Sequence, residues 1–180
     1  MEKIMEMATE FVKSIYSNKI GIADIRGLCG RYEELNYSDD VTISCGRFRQ
    51  TLIPSNHKFI VKTGLVRGGV NQCKREMNIY NSAVEQGFGK YFAKCYGKFK
   101  VGACYFYVYE YVEGIGNTYG SATSHIKNHE LRFFLHHNDI NDLHSNNYAM
   151  KHNHVVLTDY SGYHYEDDNG SKTIYSCGWW

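Results

Sequence analysis

Asp142 and Asn147 stand five positions apart in the segment Asp-Leu-His-Ser-Asn-Asn. In a tight loop, such an aspartate can orient and deprotonate a hydroxyl nucleophile while the amide oxygen ligates a metal ion. Twelve residues after Asn147, an apolar run over 155–157 leads to Asp159. A carboxylate at the end of a buried strand suits Mg²⁺, a hard cation that takes oxygen ligands. The plainer interpretation of Asp159 is a turn, since Ser-Gly follows closely.

A lysine and a glutamate earlier in the chain form a second candidate pair. Lys62 ends an apolar strand pattern, and strand alternation puts it on one face with Ile60 and puts Phe59 on the other face. Glu76 lies on the inner face of a helix predicted over 71–86, where a carboxylate needs a cationic partner. We therefore expect an ion pair between Lys62 and Glu76, with the charged groups within about 4 Å. Taken singly, each side chain is more often solvated.

The elements that must position these residues alternate between helical and strand patterns. The predicted elements are a helical region over 1–35, strands over 42–53 and 58–63, a helix over 71–86, strands over 91–100 and 103–112, a helix over 121–136 and a short strand over 155–157. This order predicts an α+β fold with an antiparallel sheet at its centre.

Composition narrows the class of protein. The chain carries 20 Lys and Arg against 19 Asp and Glu, so the balance gives no reason to expect nucleic acid or a membrane as partner. No segment reaches the roughly 18 apolar residues of a membrane span, and residues 1–16 lack the uncharged core of a signal peptide. The six cysteines form no CxxC pair, so we expect reduced thiols and a cytoplasmic location.

In this order, the segments resemble the protein-kinase superfamily. Lys62 is similar to the lysine of its V-A-I-K strand, and Glu76 is similar to the glutamate of its αC helix. The stretch from Asp142 to Asn147 resembles the catalytic loop H-R-D-L-x-x-x-N, and Asp159 with the following tyrosine resembles D-F-G. The combination of all these residue types in one order carries more weight than any single motif.

The resemblance spans about residues 41–162, two thirds of the chain. It implies an ATP- and Mg²⁺-dependent serine/threonine protein kinase, a transferase acting on a protein hydroxyl. The implied catalytic residues are Asp142 as the base, Lys62 on the α/β-phosphates and Glu76 holding Lys62. The implied metal ligands are Asn147 and Asp159. The implied nucleotide-binding residues are Gly46, Ile60, Lys62, Glu110 and Val112, the last two from a hinge-like segment whose backbone would hold adenine.

The chain departs from the kinase pattern at several positions. The glycine-rich loop keeps one glycine, Gly46, so close approach of the backbone to phosphates is reduced; Arg47 or Arg49 would supply positive charge there instead. Ile60 stands where the family has a small alanine. His144 stands where protein kinases usually carry lysine, a form similar to aminoglycoside and choline kinases.

Two alternatives to a protein kinase follow from these departures. The first is a pseudokinase that binds and inhibits a partner protein, favoured by the lost glycines. The second is a small-molecule phosphotransferase, favoured by His144. The compact form would also suit a small genome such as that of a phage.

The chain is predicted to be one kinase-like domain over 1–180. Residues 1–40 form a helical extension, 41–114 a sheet with one αC-type helix, and 115–180 a strongly truncated helical lobe, since 18 residues follow Gly162. The apolar face of residues 121–136 then needs a cover. We expect the N-terminal helices to fold back onto it in a monomer, with a homodimer as the alternative.

Overall fold

A computed structural model describes residues 1–16, 25, 34–38, 40–46, 48–117, 119–162, 164–166 and 172–174. The chain divides into two compact units. Unit 1 comprises Met1–Cys73, Cys95–Tyr111 and Glu166–Ser171, and unit 2 comprises Lys74–Lys94, Val112–Tyr165 and Lys172–Trp180.

The described helices are α1 (Glu2–Ile15), α2 (Arg67–Glu85), α3 (Ala122–His125) and α4 (His129–His137), with 3-10 turns at Gly89–Tyr91 and Ser145–Asn147. The strands are β1 (Glu34–Ser38), β2 (Val41–Cys45), β3 (Arg49–Pro54), β4 (Ile60–Gly64), β5 (Cys95–Val101), β6 (Cys104–Tyr109), β7 (Tyr148–Lys151), β8 (His154–Leu157), β9 (His164–Glu166) and β10 (Lys172–Ile174). The predicted α+β class is confirmed.

Unit 1 is built on a six-stranded sheet with the strand order β1-β2-β3-β4-β6-β5. Each neighbouring pair is antiparallel, which confirms the predicted antiparallel sheet. Tight connections join β2 to β3 and β5 to β6, and antiparallel strands allow such short links. The crossover helix α2 follows β4, so β6 rather than β5 becomes the next neighbour of β4 in the sheet.

One face of this sheet and helix α1 share the core of unit 1. Phe59 and Val61 belong to that core, together with Ala8 and Val12 of α1. The ring of Phe11 packs edge-on against Phe59 with centroids 5.8 Å apart. The apolar face of α1 is therefore buried on the sheet, and the predicted fold-back of the N-terminal region onto residues 121–136 is wrong for α1. The reason is that the strands of unit 1 alternate, so their own apolar face also needed a cover.

Unit 2 has an aromatic core of its own. The ring of Phe92 contacts Phe134 at 5.9 Å and Tyr160 at 5.1 Å, both edge-on, and Phe88 lies 5.5 Å from Phe134. Leu135 is buried as well, whereas Phe133 is 71 % exposed. Most of the apolar side chains of α4 are thus buried by other residues of unit 2.

The helix predicted over 121–136 is divided into α3 and α4. The backbone leaves the helical conformation at Ile126, and Asn128 begins α4 by accepting a hydrogen bond from Leu131 N at 3.0 Å. Asparagine favours this N-cap position because its side chain satisfies an otherwise unbonded N–H. Arg132 then donates to the Ile126 carbonyl at 2.8 Å, which stabilises the break.

Three further findings concern the predictions from sequence. Residues 34 and 35, expected to be helical, belong to strand β1, and the second N-terminal helix after Gly21 lies almost wholly outside the described residues. Cys45 takes part in a disulfide bond, so the expectation of reduced thiols is wrong for this residue, whereas Cys73, Cys95 and Cys104 are not disulfide-bonded. In the described part of the chain, no helix has the length and apolar character needed to cross a membrane.

The packing of α1 on the sheet leads to a stability prediction. Val12→Ala should lower the free energy of unfolding by about 2 kcal/mol. The valine side chain is fully buried, so its truncation leaves a cavity in the core. The neighbouring exposed Lys13 is the control, and Lys13→Ala should change stability by no more than about 0.5 kcal/mol. Urea unfolding followed by circular dichroism measures both. Equal, small effects would show that α1 does not contribute to the core.

Candidate functional site

Lys62 lies on β4, on the sheet face opposite the core that α1 covers. Phe59 and Val61 point into that core, which confirms the predicted alternation of this strand. The Lys62 side chain is nevertheless only 5 % exposed. Its Nζ atom lies 5.0 Å from the centroid of the Tyr109 ring, a distance typical of a cation–π interaction. The lysine is therefore not the solvated strand residue that a single-residue interpretation favours.

Aromatic residues of β6 surround this lysine within unit 1. Tyr107 pairs with Lys62 across the sheet, and Tyr109 pairs with Ile60. Tyr109 donates a hydrogen bond from its hydroxyl to Cys73 O at 3.2 Å. Burial raises the pKa of Tyr107 to about 12, so its phenol remains neutral at physiological pH. Lys62 thus lies beside two tyrosines of β6.

The other predicted nucleotide-binding residues are distributed between the two units. Gly46 follows β2, and its N–H donates to Arg49 O at 2.9 Å, which closes the β2–β3 turn. Glu110 directly follows β6 in unit 1 and is half-buried. Val112 belongs to unit 2 and is buried. Arg47, a predicted source of positive charge, lies outside the described residues.

Glu76 is fully buried in α2, within unit 2. Its Oε1 atom accepts a hydrogen bond from Tyr160 N at 3.3 Å. A buried carboxylate requires such donors, since desolvation without them is costly. The ion pair expected between Glu76 and Lys62 joins residues of different units and stays a prediction.

The loop from Asp142 to Asn147 is held by its own side chains. Asn147 donates from Nδ2 to Asp142 O at 2.8 Å, and His144 Nε2 lies 3.2 Å from Asp142 Oδ1. His144 Nδ1 lies 3.2 Å from Asn146 N. Because a backbone N–H can only donate, Nδ1 accepts this bond and the neutral ring carries its proton on Nε2. His144 Nε2 therefore donates to the Asp142 carboxylate, and its 3.2 Å contact with Asn147 Nδ2, another donor, is not a hydrogen bond.

Asn147 also connects this loop to the segment that carries Asp159. Its main-chain oxygen accepts from Thr158 N at 2.8 Å and from Asp159 N at 3.4 Å. These contacts bring the backbones of the three residues close together in unit 2, and the convergence of their side chains on one cleft stays a prediction. The Asn147 side chain is 7 % exposed, and its Oδ1 atom makes no hydrogen bond to any residue that the structure describes.

The oxygen atoms of this loop fit a hard cation with few protein ligands. Among the described residues, no group of three or more His, Cys, Asp or Glu side chains is placed to hold a metal ion. Mg²⁺ does not require one, because it is usually bound by one or two carboxylates together with water and substrate phosphates. Asn147 Oδ1 and the half-buried Asp159 carboxylate supply oxygen ligands of this kind.

The segment after Asp159 is held by residues that the sequence did not single out. Arg75 donates from Nε to Ser161 O at 2.8 Å and from Nη2 to Asn138 O. Burial lowers the pKa of Arg75, and the carboxylate of Asp139 opposes that shift. Only the position of Arg75 beside Glu76 could have drawn attention to it, because its partners are main-chain carbonyl groups with no signature in sequence.

The chain matches no protein-family model, and no curated protein matches it.

The turn after Ser161 requires glycine. Gly162 has φ +68°, and a Cβ atom there would overlap the Asp139 carbonyl oxygen, whereas Gly87 has φ +81° with open space around it. Gly87→Ala should therefore cost only the conformational strain, about 1–2 kcal/mol. Gly162→Ala should cost about 3 kcal/mol or more, because a steric overlap is added. Urea unfolding of the two variants compares them, and equal losses would contradict the close approach at Gly162.

Proposed function

We propose that the chain is an ATP- and Mg²⁺-dependent phosphotransferase of the protein-kinase-like type, acting on a serine or threonine hydroxyl of a protein. The observation that carries the proposal is the pair of links made by Asn147. Its side chain bonds to the backbone of Asp142, and its backbone bonds to the N–H of Asp159. An acid and an amide of one loop are thereby joined to a second acid that lies twelve residues after the amide.

Asp142 has the properties of a base that receives a proton from an acceptor hydroxyl. Its side chain is 22 % exposed, so a hydroxyl can reach it. His144 donates to Oδ1, while Oδ2 makes no hydrogen bond to any described residue. The hydrogen bond from neutral His144 orients the carboxylate and leaves one oxygen for the acceptor.

Asn147 and Asp159 would hold Mg²⁺, which when bound neutralises the charge on phosphate oxygens. Asn147 is prepared for this role, since the bond from Nδ2 to Asp142 O fixes the amide with Oδ1 unused by the described protein. Lys62 would bind the α/β-phosphates. Its side chain is buried with Nζ 5.0 Å from the centroid of the Tyr109 ring, which contributes a cation–π interaction.

A pseudokinase that binds a partner without transferring phosphate is the second candidate. It is favoured by the backbone hydrogen bonds that hold the loop around Gly46 within unit 1. Phe48 O accepts from Leu65 N at 2.8 Å and lies so close to Gly69 that a Cβ atom there would overlap it. Gly46 N is bonded to Arg49 O. The N–H group of Gly46 is thus engaged within the turn, which leaves it unavailable to a phosphate.

One assay separates the candidates. Incubation with γ-labelled ATP and Mg²⁺, alone and with a cell lysate, should label the chain or a lysate protein at Ser or Thr. ATP binding without label on any protein would favour the pseudokinase. Label on aminoglycoside or choline but not on protein would favour the small-molecule phosphotransferase.

The two aspartates should give different phenotypes. Asp142→Ala should lower the rate of transfer by about 10²–10⁴-fold while ATP binding is retained, because the base acts on the acceptor. Asp159→Ala should weaken Mg²⁺-dependent ATP binding as well, because a metal ligand is removed. Titration with a fluorescent ATP analogue and the labelled-ATP assay measure the two quantities.

Glu130→Ala provides the matched control, since it removes an exposed carboxylate of unit 2. It should change neither ATP binding nor transfer. Equal loss of ATP binding in Asp142→Ala and Asp159→Ala would show that Asp142 acts structurally. Unchanged Mg²⁺ dependence in Asp159→Ala would remove Asp159 from the metal site.

A further inference from the structure

Arg75 in α2 contacts two separate main-chain segments of unit 2. Its Nε atom donates to Ser161 O at 2.8 Å, and Nη2 donates to Asn138 O. Ser161 lies two residues after Asp159, and Asn138 lies four residues before Asp142. A single side chain therefore bridges the segments next to both of these aspartates.

The same two segments also touch each other directly. Gly162 packs so closely on the Asp139 carbonyl group that no side chain fits between them. On the helix side, Glu76 accepts from Tyr160 N at 3.3 Å, while Arg75 donates to the next residue. Two consecutive residues of α2 thus hold two consecutive residues of the segment that follows Asp159.

Arginine is well suited to this bridge. Its guanidinium group is planar and carries several N–H donors in fixed directions, so Nε and Nη2 can bond to two carbonyl groups at once. A lysine ammonium is a single point of charge on a flexible chain and would have to serve both oxygens from one atom. Hydrogen bonds from a charged donor are also stronger than neutral ones. The Arg75 side chain is half-buried, which further restricts its motion.

We propose that Arg75 is a positioning residue for phosphate transfer. By bridging Ser161 O and Asn138 O, it sets the separation between the carboxylates of Asp159 and Asp142. This inference rests on the proposed function for the roles of the two aspartates. The bridge itself is a property of unit 2 and can be tested without ATP.

The link to Asp159 is short and direct. Ser161 Oγ lies 3.4 Å from Asp159 Oδ1, so the residue whose carbonyl group Arg75 holds also contacts the carboxylate. Release of Ser161 would therefore alter the direction of the Asp159 side chain. Asp142 is tied to Asn147 by a different bond, from Nδ2 to Asp142 O, and would keep its partner. Loss of Arg75 should consequently affect Mg²⁺-dependent steps more than the acceptor step.

The experiment compares Arg75→Met and Arg75→Lys with Lys74→Met, which removes an exposed positive charge from the adjacent position of α2. Amide hydrogen exchange measures the protection of Tyr160 to Gly162. ATP binding is titrated against Mg²⁺ concentration. Arg75→Met should increase exchange in that segment and raise the Mg²⁺ concentration for half-maximal binding roughly tenfold. Arg75→Lys should have a smaller effect, and Lys74→Met should have none.

Several outcomes would overturn the inference. Unchanged exchange over Tyr160 to Gly162 in Arg75→Met would show that the bridge does not hold this segment. A uniform increase in exchange across unit 2 in both Arg75 variants, with the same loss of thermal stability, would make Arg75 a general stability residue. A tenfold Mg²⁺ shift in Lys74→Met would assign the effect to net charge.

Failure of the proposed function gives a different result. If the wild-type chain binds no ATP while exchange rises only in the segment after Asp159, the bridge stands and the phosphotransferase proposal falls. If ATP binds to the wild type and to Arg75→Met with the same Mg²⁺ dependence, while hydrogen exchange over Tyr160 to Gly162 rises in the variant, the bridge exists but does not position Asp159.

Discussion

The candidate site of unit 2 depends on one buried side chain, Asn147. A buried amide N–H₂ group that lacks an acceptor is costly to fold. Here Nδ2 bonds to Asp142 O, and the main-chain oxygen of the same residue accepts from Thr158 and Asp159. These bonds fix the loop over 142–147 relative to the end of β8. Aspartate at this position would lack the Nδ2 donor, and its added charge would face the carbonyl group of Asp142. The residue type is therefore set by the hydrogen-bond geometry before any metal ion is considered.

The irregular backbone around this residue is stabilised by charged side chains of α2. Main-chain groups outside helices and sheets still need partners when they are buried. Glu76 supplies an acceptor to one N–H group, and Arg75 supplies donors to two carbonyl groups. The same bonds stabilise the charged groups of Glu76 and Arg75, because a desolvated ion needs hydrogen-bond partners. The bond from Tyr160 N is one contribution to stabilising a carboxylate that has no exposed surface in unit 2. It also makes the conformation of the segment after Asp159 dependent on the position of α2.

The parts of the fold that follow from local pattern could be predicted from sequence. Alternation gave the faces of β4, and the apolar period gave the helix over 71–86, which in the structure begins four residues earlier, at Arg67. Spacing and residue type gave Asp142, Asn147 and Asp159. The rest depended on partners distant in sequence. The packing of α1 depends on the apolar face of the sheet. The break before α4 depends on the N-cap at Asn128. The contacts of Arg75 are made with main-chain carbonyl groups, which every residue possesses. The single-residue interpretation of Lys62 as exposed failed for the same reason, because its aromatic neighbours come from β6.

Each unit buries its apolar side chains differently, and this affects how a site can change in evolution. In unit 1, the core lies between α1 and one face of the sheet, and Lys62 is buried on the opposite face beside Tyr109. In unit 2, Tyr160 belongs to the aromatic core through its ring contact with Phe92 and its hydroxyl bond to Ala93 O at 3.1 Å. The N–H group of the same residue is bonded to Glu76. A substitution in the segment after Asp159 therefore changes packing and site geometry together. Under the proposed function, a substitution in this segment that abolished transfer would also cost stability, whereas a substitution of the partly exposed Asp142 side chain would cost less. A chain drifting toward a pure binding role is thus expected to lose Asp142 before it loses the segment after Asp159.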